Sequence, residues 1–443
     1  MSRRPCAGRP RVVALALALI VGSVRGAVAE EPAALRSGIP LEYEHFSYLN
    51  ARGGERVDGR NALTAIPWVE WTPAAHAFVR FALALRKDFS EEERSRVYPY
   101  EGFFDLEREG WALRLGRQFI TWGRADVLRP TDVFKRHDFT DFIENREEAI
   151  DAVKLSLFPG GVTVETVWAP IFEPDIVSFR PENRWAALPE EADVPGLGPA
   201  RLTFRVDRRR EPPRTLASGQ GGVRLSGSWG GWDLAGMYYY GFDRVPTSVR
   251  REIVAVDPVV RTATINLIPV HERIHVFGGD LARVVAGWGV RAEAAYTLTT
   301  DPGSEDPDVD DPYLRVTAGV DRTFSRIPVG QSLYTLWQYA LDTELPQQGR
   351  PNQREGSSPL LHSYRHALVL NSTWKYTEFL GARLKAFFNL EDHDFVLQPE
   401  LYWQPLDALT VVVGADVLGG RRDTFFGRFR DNDRVRVRLS YAF

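Results

Sequence analysis

Residues 433–443 read D-R-V-R-V-R-L-S-Y-A-F. Val435, Val437, Leu439, Tyr441 and Phe443 share one parity, and Arg434, Arg436, Arg438 and Ser440 share the other. A period of two belongs to a strand with one apolar face and one wet face. The stretch closes on an outward aromatic with no polar tail, so its apolar face is expected to meet something other than water up to the last residue.

Upstream, the same alternation recurs in segments of about ten residues, the length of membrane-crossing strands. Segments 41–49 and 63–71 read as a first pair, and 76–86 follows across Thr72-Pro73-Ala74. Segment 98–107 turns at Glu109-Gly110 into 111–120, 150–158 turns at Pro159-Gly160-Gly161 into 162–168, and 222–229 turns at Gly230-Gly231 into 232–242. Then 273–284 meets 288–299, 314–324 meets 331–341, 366–376 meets 379–390, and 395–403 meets 409–417 before the closing strand. In 381–390, Leu384, Ala386 and Phe388 are expected to face lipid, and Arg383 and Lys385 the lumen. A one-residue slip would set both cations in hydrocarbon, at about 2–4 kcal/mol each near the midplane.

Short turns near residues 73, 109, 159, 230, 285, 327, 377 and 406 alternate with mostly longer connections. That is the asymmetry of periplasmic turns and extracellular loops. The fold class expected is all-β, a closed antiparallel transmembrane β-barrel of about 18 strands, with 16 as the fallback. Closure is required because a membrane cannot accept an open sheet edge. At the seam, Glu42 and Glu44 of the first strand are expected beside Arg436 and Arg438 of the last, opposite charges on one face.

The chain carries 12 Trp, 15 Tyr and 25 Phe against 2 Met, with 26% charged residues and a net charge of −4. Many aromatics on a chain of average hydrophobicity suit aromatic girdles better than one soluble core, which at 443 residues would normally split into domains. The near-neutral charge argues against a nucleic-acid partner. Beyond residue 30 no run approaches about 18 consecutive apolar residues, which excludes helical spans. Arg3, Arg4, Arg9 and Arg11, the apolar run 12–21 and Ala27-Val28-Ala29 are expected to form a signal peptide over 1–29. A periplasmic segment 30–40 and a barrel over 41–443 follow, with long loops at 121–148, 170–217 and 243–270. Cleavage after Ala29 would remove Cys6, the only cysteine, and with it any disulfide or cysteine-ligated metal.

Two resemblances follow from these residues. The alternating C-terminal strand ending in Phe443 resembles the terminal signature of Gram-negative outer-membrane β-barrels, which implies recognition by the barrel-assembly machinery and contact with lipid bilayer and lipopolysaccharide. The stretch Gly116-Arg117-Gln118-Phe119-Ile120-Thr121-Trp122-Gly123-Arg124-Ala125-Asp126, followed by Pro130-Thr131-Asp132, has the pattern G-R-Q-x-x-x-W-G-x-x-D then P-x-D. It resembles a widespread family of proteobacterial outer-membrane barrels, and its G-R-Q start is similar to alginate-export-type barrels. Members often accompany RND-type exporters and a periplasmic lipoprotein of the LolB type, so the resemblance implies transport of something amphipathic or polymeric.

Read for itself, this stretch is a strand running into a loop of about 28 residues, a length that is usually functional or disordered. Phe134, Phe139 and Phe142 are interleaved with Asp132, Asp138, Asp141, Arg124, Arg129, Lys135 and Arg136, a composition able to fold inward. The connection 122–148 is therefore expected to enter the lumen as a constriction, with Arg114, Arg117, Gln118, Trp122, Arg124, Asp126, Asp132 and Arg136 at the constriction or loop base. Bracing of the loop base and contact with substrate both stand as readings of these residues. Arg383, Lys385, Arg436, Arg438, Glu42 and Glu44 are expected on the lumen wall.

Elsewhere, Arg208-Arg209-Arg210 lies in a long connection where lipopolysaccharide phosphate or plain solvent would meet it, and the acidic run 301–311 lacks EF-hand spacing. There is no H-E-x-x-H, no G-x-S-x-G and no residue set for a cofactor or metal. Inward parity collects cations and anions in equal number, a wall suited to neutral, zwitterionic or amphipathic cargo or to charges that pair with one another. The function expected is a porin-like or export channel for small or amphipathic solutes, without an enzymatic step. The alternative is a plugged barrel serving surface anchoring or envelope assembly, for which a lumen crossed by paired charges is the discriminating observation.

Overall fold

A computed structural model describes residues 34–50 and 58–442, apart from 181, 187, 190, 304, 307–308 and 346–361. The signal peptide expected over 1–29 and the terminal Phe443 lie outside the described residues. The chain forms a closed antiparallel barrel of 18 strands. The first is β1, in two pieces, Ala34–Gly38 and Leu41–Tyr48, and the second is β2, also in two, Gly59–Ala65 and Trp68–Ala74. There follow β3 (Ala77–Asp88), β4 (Arg96–Arg108), β5 (Trp111–Gln118), β6 (Ile150–Leu157), β7 (Val162–Ala169) and β8 (Gln220–Trp229). Next come β9 (Trp232–Phe242), β10 (Arg273–Val285), β11 (Trp288–Leu298), β12 (Tyr313–Phe324) and β13 (Ser332–Glu344). The last five are β14 (His366–Lys375), β15 (Leu380–Asn389), β16 (Asp394–Leu406), β17 (Leu409–Gly419) and β18 (Arg434–Tyr441).

β18 closes the sheet on β1 with Leu41 opposite Tyr441 and Glu44 opposite Arg438. The pieces of β1 and β2 are separated at Ile39-Pro40 and Ile66-Pro67, because proline has no N–H to give to the ladder. Each proline still accepts, Pro40 from the Ile66 N–H at 3.0 Å and Pro67 from the Leu83 N–H at 3.0 Å, so the wall stays continuous. Segment 34–38, expected to precede the barrel, instead pairs with Trp68–Ala74 and lengthens the wall.

The connections of two to four residues between barrel strands lie at one end, except 390–393. At 230–231 and 286–287 both central residues have positive φ, at Gly230 (56°), Gly231 (79°), Ala286 (51°) and Gly287 (80°). This is the hairpin geometry whose twist matches that of the flanking strands. Register fixes the two faces of the wall. Leu384 pairs with Pro399 and Ala386 with Leu397 on one face, while Arg383 pairs with Glu400 and Lys385 with Gln398 on the other. On the outward parity, charged residues occur only near strand ends: Lys87, Arg117, Asp151 and Arg273 at the loop end, and Arg108, Arg283 and Arg322 at the turn end. Between them runs an uncharged belt with exposed Val69, Phe81, Leu225, Phe277, Trp337, Leu401 and Val413.

The long connections after β7 and β9 are not irregular. They build a separate four-stranded sheet in the order Glu191–Val194, Gly198–Val206, Thr262–Val270, Ser248–Asp257, whose central pair is parallel. Val194, Ala200, Leu202, Ala263, Ile265 and Leu267 form its small core.

Candidate functional site

The chain leaves β5 through Gly116, whose φ is +120° and where a Cβ would stand 2.3 Å from the Gly102 carbonyl oxygen. Only glycine fits there. Gln118 is fully buried and donates to the Ala152 carbonyl at 3.0 Å and to the Gly116 carbonyl at 3.2 Å, clamping the strand end. Arg117 points to the outer side of the same strand, where Asp151 (3.4 Å) and Glu173 (3.0 Å) hold it. It is a brace of the loop base and does not line the lumen.

From Trp122 the segment crosses the barrel. Trp122 is 3% exposed and lies edge-on to Phe134 at 4.9 Å, which in turn meets Tyr239 of β9 at 5.0 Å. The indole N–H donates to Glu165 of β7. Gly123 is required by crowding, since a Cβ would lie 2.8 Å from Arg129 Cβ and 2.9 Å from the Glu293 carboxylate. Glu293 of β11 uses this approach to accept the backbone N–H groups of Arg124 and Ala125 and the Thr131 hydroxyl at 3.0 Å. Asp132 accepts the Trp122 N–H at 3.1 Å and pairs with Lys135 at 2.8 Å. Arg124 reaches Asp280 of β10 at 2.7 Å, and Asp126 reaches Arg291 of β11 at 2.9 Å. Gln338 of β13 brackets the turn, accepting the Val127 N–H at 3.1 Å and donating to the Leu128 carbonyl at 2.7 Å.

The second half runs to the opposite wall as a short ribbon, Arg136–Asp138 paired with Arg146–Glu148. Arg136 pairs with Glu148 at 3.2 Å and Glu173 at 3.4 Å, and Arg96 of β4 with Asp138 and Glu148 at 3.0 Å each. Asp141 sits between Arg434 of β18 and Arg60 of β2. Glu144 meets Arg60 and, at 3.2 Å, Arg86 of β3, while Arg146 turns to Glu44 and Glu42 of β1. Arg434 and Arg60 both lie over the Phe46 ring, at 4.3 and 4.2 Å. Burial by itself would raise both carboxyls. For Asp141 the guanidinium of Arg434, and for Glu144 those of Arg60, Arg146 and Arg86, outweigh it and hold each below the usual carboxylate range. Above this network, Phe142 packs on Phe425 and Phe429.

Of the residues singled out in the sequence, Trp122, Arg124, Asp126, Asp132 and Arg136 come together on the inserted segment. Arg114 stands apart on the wall, bonded to Asp105 by two contacts of 2.7 Å and stacked on Phe103. Arg438 meets Glu44 at 2.8 Å and Glu42 at 3.6 Å across the seam. Arg436 instead serves Glu400 and Asp416. Arg383 is 3.7 Å from Glu400, and Lys385 has no ion pair among the described residues. Arg60, Gln338 and Glu144 had not been singled out. Gln338, a lone amide on the inward parity between Trp337 and Tyr339, was the visible signal.

Asp310, Glu344 and His362 place donor atoms within 4.8 Å of one another near the loop end. His362 spans Asp310 at 2.8 Å and Asp342 at 3.0 Å. Burial would lower its pKa, but the hydrogen bonds to Asp310 and Asp342 push it up to about 9.

No curated protein matches the chain. Among solved structures it is similar to Pseudomonas aeruginosa OccK11 (OpdR), with 12% identity and a TM-score of 0.50 over 92% of this chain and 96% of that one. Pseudomonas aeruginosa OccK5 (OpdH) aligns with 10% identity and a TM-score of 0.49, over 92% and 98%. Likeness at the level of OccK11 speaks for the barrel fold alone. The family model described as "Protein of unknown function (DUF1302)" matches residues 84–309, just over half of the chain and the whole inserted segment, and the protein belongs to that family.

Proposed function

We propose that the protein is a porin-like or export channel in the outer membrane of a Gram-negative bacterium, without an enzymatic step, and that segment 122–148 is its constriction. The observation that carries this reading is a single inserted segment tied to opposite walls of a closed barrel, by Glu293 and Gln338 on one side and by Arg60 and Arg434 on the other. An uncharged outward belt bounded by charges at the strand ends supports membrane placement. Small or amphipathic solutes fit a wall whose charges largely pair with one another. Lipopolysaccharide and the assembly machinery are its expected partners, with an RND-type exporter or a periplasmic lipoprotein beside it. Single-channel recording on refolded protein tests the proposal. Deleting 134–142 should raise conductance severalfold in a correctly folded barrel, and unchanged conductance would remove the segment from the conduction path.

The lumen crossed by paired charges also favours a second reading, a plugged barrel for surface anchoring or envelope assembly. A native protein that passes no current, beside a deletion variant that does, would select it.

A further inference from the structure

Inward charges balance in total, yet their pairing is uneven around the wall. In the turn-end half of the lumen, the cations on β3 to β11 are matched. Arg80 pairs with Glu70 and Glu101, Arg114 with Asp105, Lys154 with Glu165 at 3.6 Å, Arg224 with Asp280 at 2.7 Å, and Arg291 with Asp321. β14 and β15 differ. Lys375 and Lys385 are exposed and have no carboxylate partner among the described residues. Arg383 between them has only Glu400, at 3.7 Å, which Arg436 approaches more closely. Register places Lys375 opposite Gly381, Arg383 opposite Thr373, and Lys385 opposite Asn371. The three cations therefore climb the inner wall from the turn-end rim, about 7 Å apart for each two-residue step along β15. Their neighbours Thr373, Asn371 and Gln398 are neutral, and none of the three cations bonds to the inserted segment. The strip ends below Phe387, which packs on Tyr364 and Phe426 at 5.7 and 5.1 Å. In the same half, Glu107 at the rim of β4 is an exposed anion without a cation partner among the described residues.

We propose that Lys375, Arg383 and Lys385 form a guide for an anionic solute entering from the turn end, with Lys385 as the residue that sets ion selectivity. The inference rests on the channel reading and sharpens its cargo class. An uncompensated cation on a low-dielectric wall raises the local concentration of anions, whereas a paired cation does so far less. The test is the reversal potential in a planar bilayer under a tenfold KCl gradient, measured on the full barrel and on the barrel lacking 134–142. The expected result is preference for chloride, reduced in Lys385→Gln and Lys375→Gln, and reversed to potassium in Lys385→Glu. A native preference for potassium, or a Lys385→Glu variant with unaltered selectivity, overturns the proposal. If the full barrel conducts nothing, the channel reading falls while the shortened barrel still decides the strip by the same criterion. If neither conducts, both fall. Lys385 is exposed, so its variants should fold, which the heat-dependent gel mobility of the barrel checks.

Discussion

The two halves of the inserted segment are held by different physics. Residues 122–134 are packed around Trp122, Phe134 and Tyr239 and capped through backbone N–H groups by Glu293, Asp132 and Gln338. Residues 136–148 are held by ionised side chains, with Asp141 and Glu144 meeting Arg60, Arg86 and Arg434. Aromatic packing and the Gln338 amide cap are insensitive to protons. A buried network of ionised groups is not, and it also fails abruptly when one member is removed, because the remaining charge is left without its partner. One end of the segment is thus a fixed hinge and the other a latch.

The strongest way to break this contrast is Arg434→Met, which leaves Asp141 and Asp416 buried against an apolar side chain. Loss of one partner of a buried pair costs about 3–5 kcal/mol, so the unfolding midpoint in urea should fall by that equivalent. A loss under about 1 kcal/mol would mean that water reaches the network. Phe134→Ala should come next, at about 3 kcal/mol, because it empties the centre of an aromatic cluster. Its effect should be local, with proteolysis appearing at 122–134 while 136–148 stays protected. Cleavage in both halves would erase the distinction between them.

Acid should act more strongly on the latch than on the packed half. The folded pKa values of Asp141 and Glu144 lie below their unfolded values, so their contribution is complete above about pH 4 and is lost as pH falls through the folded values. A spin label on a cysteine in place of Asn145 should become mobile on acidification below that point. One at Val127 should not, and equal mobilisation at both would sink the assignment. The smallest expected effect is Gln338→Leu, which removes two hydrogen bonds to the Val127–Leu128 backbone and should cost about 1–3 kcal/mol in hinge stability, read by hydrogen exchange at Val127.

Much of the barrel was legible because strand parity and short turns are local properties. The order of strands, the turn at Gly230-Gly231 and the seam between Glu44 and Arg438 follow from adjacent residues and closure alone. The break at Pro67 was missed, since segment 63–71 was read straight through it. For Arg117 both bracing and substrate contact stood as readings of the motif, although its parity with Trp111, Leu113 and Leu115 already favoured the brace. The uneven pairing on β14 and β15 was not legible, because a count of charges carries no information about which of them the inserted segment and the neighbouring strands consume. The sheet beyond the barrel was missed for a related reason. Its strands alternate weakly and its central pair joins Arg201 to Thr262, a contact far apart in the chain.

That parallel pair has a consequence for how the protein is made. Gly198–Val206 and Thr262–Val270 lie on either side of the β8–β9 hairpin, so they can align only after that hairpin has turned back on itself. Contacts of such long sequence separation form late. The sheet therefore depends on the β8–β9 hairpin, whereas the β1–β18 seam, with Leu41 opposite Tyr441, joins residues still farther apart in the chain.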